Sequence, residues 1–86
     1  MPNATIERFF DKHGRLPQLP VKTDTQRELG EHLATFFEPT RRYSEREVNE
    51  ILMGFSDEYV ALRRMLIDYR VLMRDSQGAS YWREIE

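Results

Sequence analysis

The 86-residue sequence contains no cysteine, which excludes disulfides and thiolate metal centres and suits a reducing compartment. Its two histidines, His13 and His32, fall on different predicted elements, and neither has a second His or Cys at ligand spacing. The four glycines are scattered, so no phosphate-cradling loop exists. No serine shares a recognisable triad with His and Asp. Apolar runs are as short as Val71-Leu72-Met73, far below the ~20 residues that span a bilayer. The first residues offer neither a basic stretch nor an apolar one, so no signal peptide is visible and a cytoplasmic location is expected. Neither sign of charge prevails: 13 Lys and Arg stand against 15 Asp and Glu, a net charge of -2. That balance argues against strong autonomous binding to nucleic acid.

What is present describes one small domain. Apolar residues make up 40% and charged residues 33%, and five Phe, four Tyr and one Trp are too many aromatics for a disordered chain. Residues 1–22 read as an N-terminal helix and an extended link, and residues 23–86 as the core. Ile6, Phe9 and Phe10 share a face over Ala4–Lys12, and Gly14 ends that helix. Pro17 and Pro20 then force an extended path that Leu16 and Leu19 pin to the core. Thr23 with Gln26 reads as a capping box for a helix carrying Leu29, Leu33, Phe36 and Phe37 and ending at Pro39.

Ser44-Glu45-Arg46-Glu47 is a second capping box, flanked by Tyr43 and Val48 as a hydrophobic staple. Its helix places Val48, Ile51, Leu52 and Phe55 on one face. Ser56 is expected to cap the next helix, with Asp57 and Glu58 in its first turn, and its apolar face runs through Tyr59, Val60, Leu62, Leu66, Ile67 and Tyr69. Val71–Arg74 and Ser80–Arg83, joined by a five-residue loop with Gly78, read as a hairpin. A short bridge of strand is expected near Tyr43. The fold class is therefore α+β, mainly helical. From residue 24 onward the order of elements is that of a winged helix-turn-helix with a C-terminal β-hairpin wing and an N-terminal helical extension.

Phe37-Glu38-Pro39, Arg42-Tyr43-Ser44-Glu45-Arg46-Glu47-Val48-Asn49, Leu62-Arg63-Arg64-Met65-Leu66-Ile67-Asp68-Tyr69, Arg74-Asp75 and Tyr81-Trp82-Arg83 occur in this order, behind Gly14-Arg15-Leu16 and Pro20-Val21-Lys22. With this set the chain resembles, over residues 9–83, a small bacterial domain of unknown function. That domain occurs alone or at the C-terminus of winged-helix transcriptional regulators. The resemblance implies a winged-helix-like fold and a suspected role in nucleic-acid binding, and no catalytic residues. The sequence departs from the pattern at Arg70, where glycine is expected.

Candidate site residues follow from the wing. Arg41, Arg42, Arg46, Arg74 and Arg83 either line the hairpin as a phosphate-contacting patch or belong to a solvated, mixed-charge surface. On the second helix of the pair, the outward face holds Asp57, Ala61, Arg64 and Asp68, and Arg64 either reaches DNA or pairs with Asp68 four residues on. Arg63 is expected to be half-buried with a carboxylate partner. Tyr81 and Trp82 either anchor a protein partner, or a second copy of the chain, or close the core. The expected function is a non-enzymatic regulatory module with DNA as suspected ligand, and the alternative is an interaction or dimerisation module. No metal, cofactor or membrane is expected as a partner.

Overall fold

In a computed structural model, residues 4–83 are described. The elements run α1 (Ala4–Glu7), α2 (Thr23–Ala34), α3 (Glu45–Met53), α4 (Tyr59–Asp68), β1 (Leu72–Arg74) and β2 (Tyr81–Arg83). The chain is thus α+β and mainly helical. None of its described helices is long and apolar enough to cross a membrane.

The N-terminal helix is shorter than the Ala4–Lys12 expected from its apolar spacing. After Glu7 the chain tightens into turns, with Phe9 N–H donating to Ile6 O (2.9 Å) and Phe10 N–H to Glu7 O (3.1 Å). The Asp11 carboxylate then accepts from the amides of His13 (2.8 Å) and Arg15 (2.9 Å). A short acidic side chain that satisfies nearby amides competes with helix continuation. The link beyond it is tied down by Leu16, which is buried and whose amide donates to Phe55 O (2.6 Å). Arg15 also reaches Met53 O (2.8 Å) and Asp57 (2.9 Å), so the link straps the turn between α3 and α4.

The capping box expected at Thr23 does not form. Lys22 is the N-cap of α2, without a side-chain bond. Gln26 is recruited elsewhere: its amide nitrogen donates to Pro20 O (2.9 Å) and its oxygen accepts from the Tyr69 hydroxyl (2.7 Å). The helix also ends at Ala34 rather than at Pro39, because residues 35–37 tighten into turns three residues apart. Phe36 therefore leaves the helical stripe and is 49% exposed, while Phe37 is buried.

The box at Ser44 forms as read. Ser44 Oγ accepts from Glu47 N–H (3.1 Å), and Glu47 Oε1 accepts from Ser44 N–H (2.8 Å). Ser56 does not cap α4. Its hydroxyl accepts from Glu58 N–H (2.9 Å), and the helix starts at Tyr59 behind Glu58. Asp57 and Glu58 thus precede the helix instead of occupying its first turn. Val60, expected on the buried side, is exposed.

At the other end, α4 closes in a Schellman motif: Arg70 N–H bonds Ile67 O (3.0 Å) and Val71 N–H bonds Leu66 O (2.8 Å). Arg70 takes the left-handed conformation that this closure requires, with φ 61°. The chain then enters the antiparallel hairpin, in the register Leu72↔Arg83, Met73↔Trp82 and Arg74↔Tyr81. On the free side of β2, Tyr43 and Tyr81 exchange both backbone bonds at 2.8 Å, an isolated bridge at the position expected for a short strand.

Leu29, Leu33, Val48, Leu52, Leu62, Leu66 and Leu72 are fully buried between the helices and the hairpin, and Ile6, Leu16, Phe37 and Tyr81 close the cluster. Each such side chain contributes about 1.5–3 kcal/mol by leaving water, so α3, α4 and the hairpin are held in fixed relative positions.

Candidate nucleic-acid interface

Alternation along the strands sorts the hairpin into two faces. Tyr81 and Leu72 point into the core. Met73, Trp82 and the Arg42 side chain form the outer row, with the Arg42 guanidinium 3.9 Å from the Trp82 ring centroid. Trp82 is half-buried under that cation and stands outside the core cluster, so it does not close the core. Tyr81 is 1% exposed, and its hydroxyl faces Glu45 at 3.4 Å. It is packed into the core and presents no exposed aromatic anchor.

Four of the five arginines read as a hairpin patch are engaged by neighbours. Arg41 stacks on Tyr43 (4.6 Å to the ring centroid) and faces Glu47 at 3.4 Å. Arg46 pairs with Glu50 one turn along α3, also at 3.4 Å. Arg83 is half-buried and donates to Phe37 O (3.2 Å), tying β2 to the end of the α2 segment. Arg42 lies on Trp82. Acids and carbonyls therefore punctuate this surface.

A different set of arginines converges. A groove of about 370 Å³ between α4 and the hairpin is lined by Arg63, Arg64 and Arg74, with Val60, Ile67, Asp68 and Tyr81 completing it. Helical spacing explains one wall, because residues 60, 63, 64 and 67 fall on one side of α4. The hairpin supplies Arg74, whose guanidinium folds back towards the loop: a Cβ built on Gly78 would lie 3.3 Å from Arg74 Nη1. Gly78 has φ +71° and leaves that space open.

The three arginines differ in freedom. Arg63 is 19% exposed and anchored on α3, hydrogen-bonded to Asn49 and 3.4 Å from Glu45, the half-buried pairing expected of it. Arg64 is 84% exposed and 4.0 Å from Asp68, the i,i+4 partner expected from sequence. A pair this long and exposed contributes little, so Arg64 is free to reorient. Arg74 is exposed at the mouth of the groove. The loop beneath it is set by Asp75, which accepts from Ala79 N–H at 2.7 Å. That bond holds the Asp75 carboxyl below its ordinary pKa of 3.8.

Arg64 and Arg74 are among the six arginines expected from sequence to contact nucleic acid, whereas Arg63 is expected there only as a structural side chain. The signal available was the adjacent Arg63-Arg64 pair, one side chain leaning to each side of a helix flank. The fold of the hairpin onto α4 is what gathers them. The histidines stay apart: His32 packs edge-on against Phe10 and Phe36 (5.6 and 5.5 Å between centroids), and His13 is exposed. Among the described residues no three His, Asp or Glu side chains converge as a metal site.

No curated protein and no solved structure matches the chain. Residues 15–83 match DUF2087, described as an uncharacterized protein conserved in bacteria. With most of its length inside that match, the chain belongs to the DUF2087 family.

Proposed function

We propose that this domain is a non-enzymatic regulatory module of winged-helix type that contacts the phosphate backbone of DNA through the groove between α4 and the hairpin. The observation that carries the reading is the convergence of Arg63, Arg64 and Arg74 there, against Asp68 in the lining and Glu45, which pairs with Arg63 at 3.4 Å. The order of elements supports it: α3 and α4 stand as a helix pair joined by residues 54–58, the hairpin follows, and Tyr43 bridges its second strand. In that architecture the second helix of the pair approaches a groove of the duplex while the hairpin lies along the backbone.

In this reading Arg64 swings from Asp68 to a phosphate, Arg74 contacts a second phosphate from the wing side, and Arg63 forms the positive floor. Val60 and Ile67 meet sugar or base edges. Two or three phosphate contacts give a salt slope of about -2 to -3 and a loss of roughly ten- to fortyfold in affinity between 50 and 200 mM salt. With a net charge of -2 the domain binds weakly alone, in the range of about 10⁻⁴–10⁻⁶ M typical of sequence-independent contact. Fluorescence anisotropy of a random-sequence duplex titrated with the domain at about 50 mM salt tests the reading, since phosphate contacts are strongest there. Absence of binding under that condition refutes it.

One observation favours a second reading, a protein-interaction module. The outer face of the hairpin presents Trp82 capped by Arg42, an aromatic–cation pair of the kind that anchors interfaces. Sedimentation over a concentration series tests its homo-oligomeric form, and a monomer at high concentration removes it.

A further inference from the structure

The opposite flank of α3 carries a second groove with the reverse chemistry. At 100° per residue, Glu45 and Asn49 face Arg63, whereas Glu47, Glu50 and Ile51 fall on the far side of the helix. Those three residues and the segment from Phe36 to Tyr43 enclose a shallow groove of about 400 Å³. Its apolar part is the Phe36 ring, 49% exposed, beside half-buried Ile51. The ring is fixed edge-on by Phe55 (4.9 Å) and His32 (5.5 Å), so a rigid aromatic face is presented to solvent at little entropic cost.

The rim is acidic. Glu38, Glu47 and Glu50 border it, against one guanidinium, that of Arg41. Arg41 is already held on Tyr43 and Glu47. Glu50 shares Arg46 through an exposed contact of 3.4 Å, which exchanges easily for a better partner. Glu38 has no cation within 4 Å among the described residues. We infer that this groove docks a segment of another protein that sets one large apolar side chain on Phe36 and Ile51 and flanks it with lysine or arginine, as one face of a basic amphipathic helix does. Charge complementarity selects that occupant: three carboxylates around an apolar floor repel a phosphate backbone and attract ammonium or guanidinium groups. The inference does not rest on DNA binding, because none of Arg63, Arg64 and Arg74 lines this groove.

The test uses the full chain and a fluorescein-labelled amphipathic peptide of leucine and lysine, roughly 14 residues long so that it can form a helix. Wild-type protein is expected to bind it saturably, with the largest amide chemical-shift changes at Phe36, Glu38 and Ile51. The double variant Glu38→Lys/Glu50→Lys, at two exposed positions, is expected to weaken binding by at least about tenfold. The double variant Asp24→Lys/Glu31→Lys changes the net charge equally on exposed positions of α2 and is expected to weaken it less than about twofold. Circular dichroism checks that both remain folded. Equal losses in the two variants would reduce the binding to bulk attraction and overturn the proposal, as would the absence of saturable binding. Self-association in sedimentation that Glu38→Lys/Glu50→Lys abolishes would assign the groove to a second copy and overturn it as well.

Discussion

Replacing Arg70 by glycine is expected to stabilise the fold. Arg70 sits at the closing position of α4 with φ 61°, and its side chain is exposed. A left-handed conformation costs an L-residue about 1–2 kcal/mol, because Cβ crowds the carbonyl oxygen. Glycine escapes that cost but loses about 0.5–1 kcal/mol more conformational entropy on folding. The net gain is about 0.5–1 kcal/mol. The two backbone bonds of the closure, Arg70 N–H to Ile67 O and Val71 N–H to Leu66 O, are unaffected. With an unfolding entropy of about 2.1 cal/mol/K per residue over 86 residues, that gain raises Tm by about 3–6 °C. Thermal unfolding followed by circular dichroism reads it directly. Arg70→Ala, which keeps Cβ and removes the charge, is the control and is expected to leave Tm nearly unchanged. An Arg70→Gly protein that melts at or below the wild-type temperature, or an Arg70→Ala protein that gains as much, would refute the reasoning.

Ser44→Ala removes the hydroxyl that accepts from Glu47 N–H and is expected to cost about 1 kcal/mol, a fall in Tm of about 5 °C, whereas Ser44→Asp retains most of the stability. Asp75 gives a pH dependence of defined sign. Its folded pKa lies below the ordinary 3.8, chiefly through the bond from Ala79 N–H, so its contribution is complete above the unfolded value and is lost as pH falls through the folded one. Asp75→Asn cannot titrate. The Tm difference between wild type and variant is therefore expected to shrink on acidification from about pH 5 to pH 2, and a constant difference would contradict the assignment.

Local signals were legible where no distant group competed for the same atoms. Ser44 and Glu47 satisfy each other within one turn, so their box forms as written. The same pattern at Thr23 and Gln26 fails because Gln26 is claimed by Pro20 O and by the Tyr69 hydroxyl, a partner 43 residues away. At Arg70 the glycine that the resemblance implies would suit a backbone with positive φ, and arginine occupies it under strain. For Trp82 the sequence leaves partner anchor and core closure open, and strand alternation puts it on the outer row with Arg42. The candidate interface was the least legible part. Arg63 and Arg64 are adjacent in sequence, but Arg74 joins them only because the hairpin folds back over α4, and the arginines around Tyr43 are taken up by Glu47, Glu50 and Phe37 O.

The central claim, that the groove between α4 and the hairpin holds a phosphate backbone, is tested most directly by the salt dependence of duplex binding in wild type and in Arg64→Glu/Arg74→Glu. Both side chains are exposed, so the substitutions leave the core intact. Two lost phosphate contacts predict a slope of log K against log salt that becomes shallower by about two, with affinity at low salt reduced by at least about tenfold. A variant with wild-type slope and affinity would contradict the account.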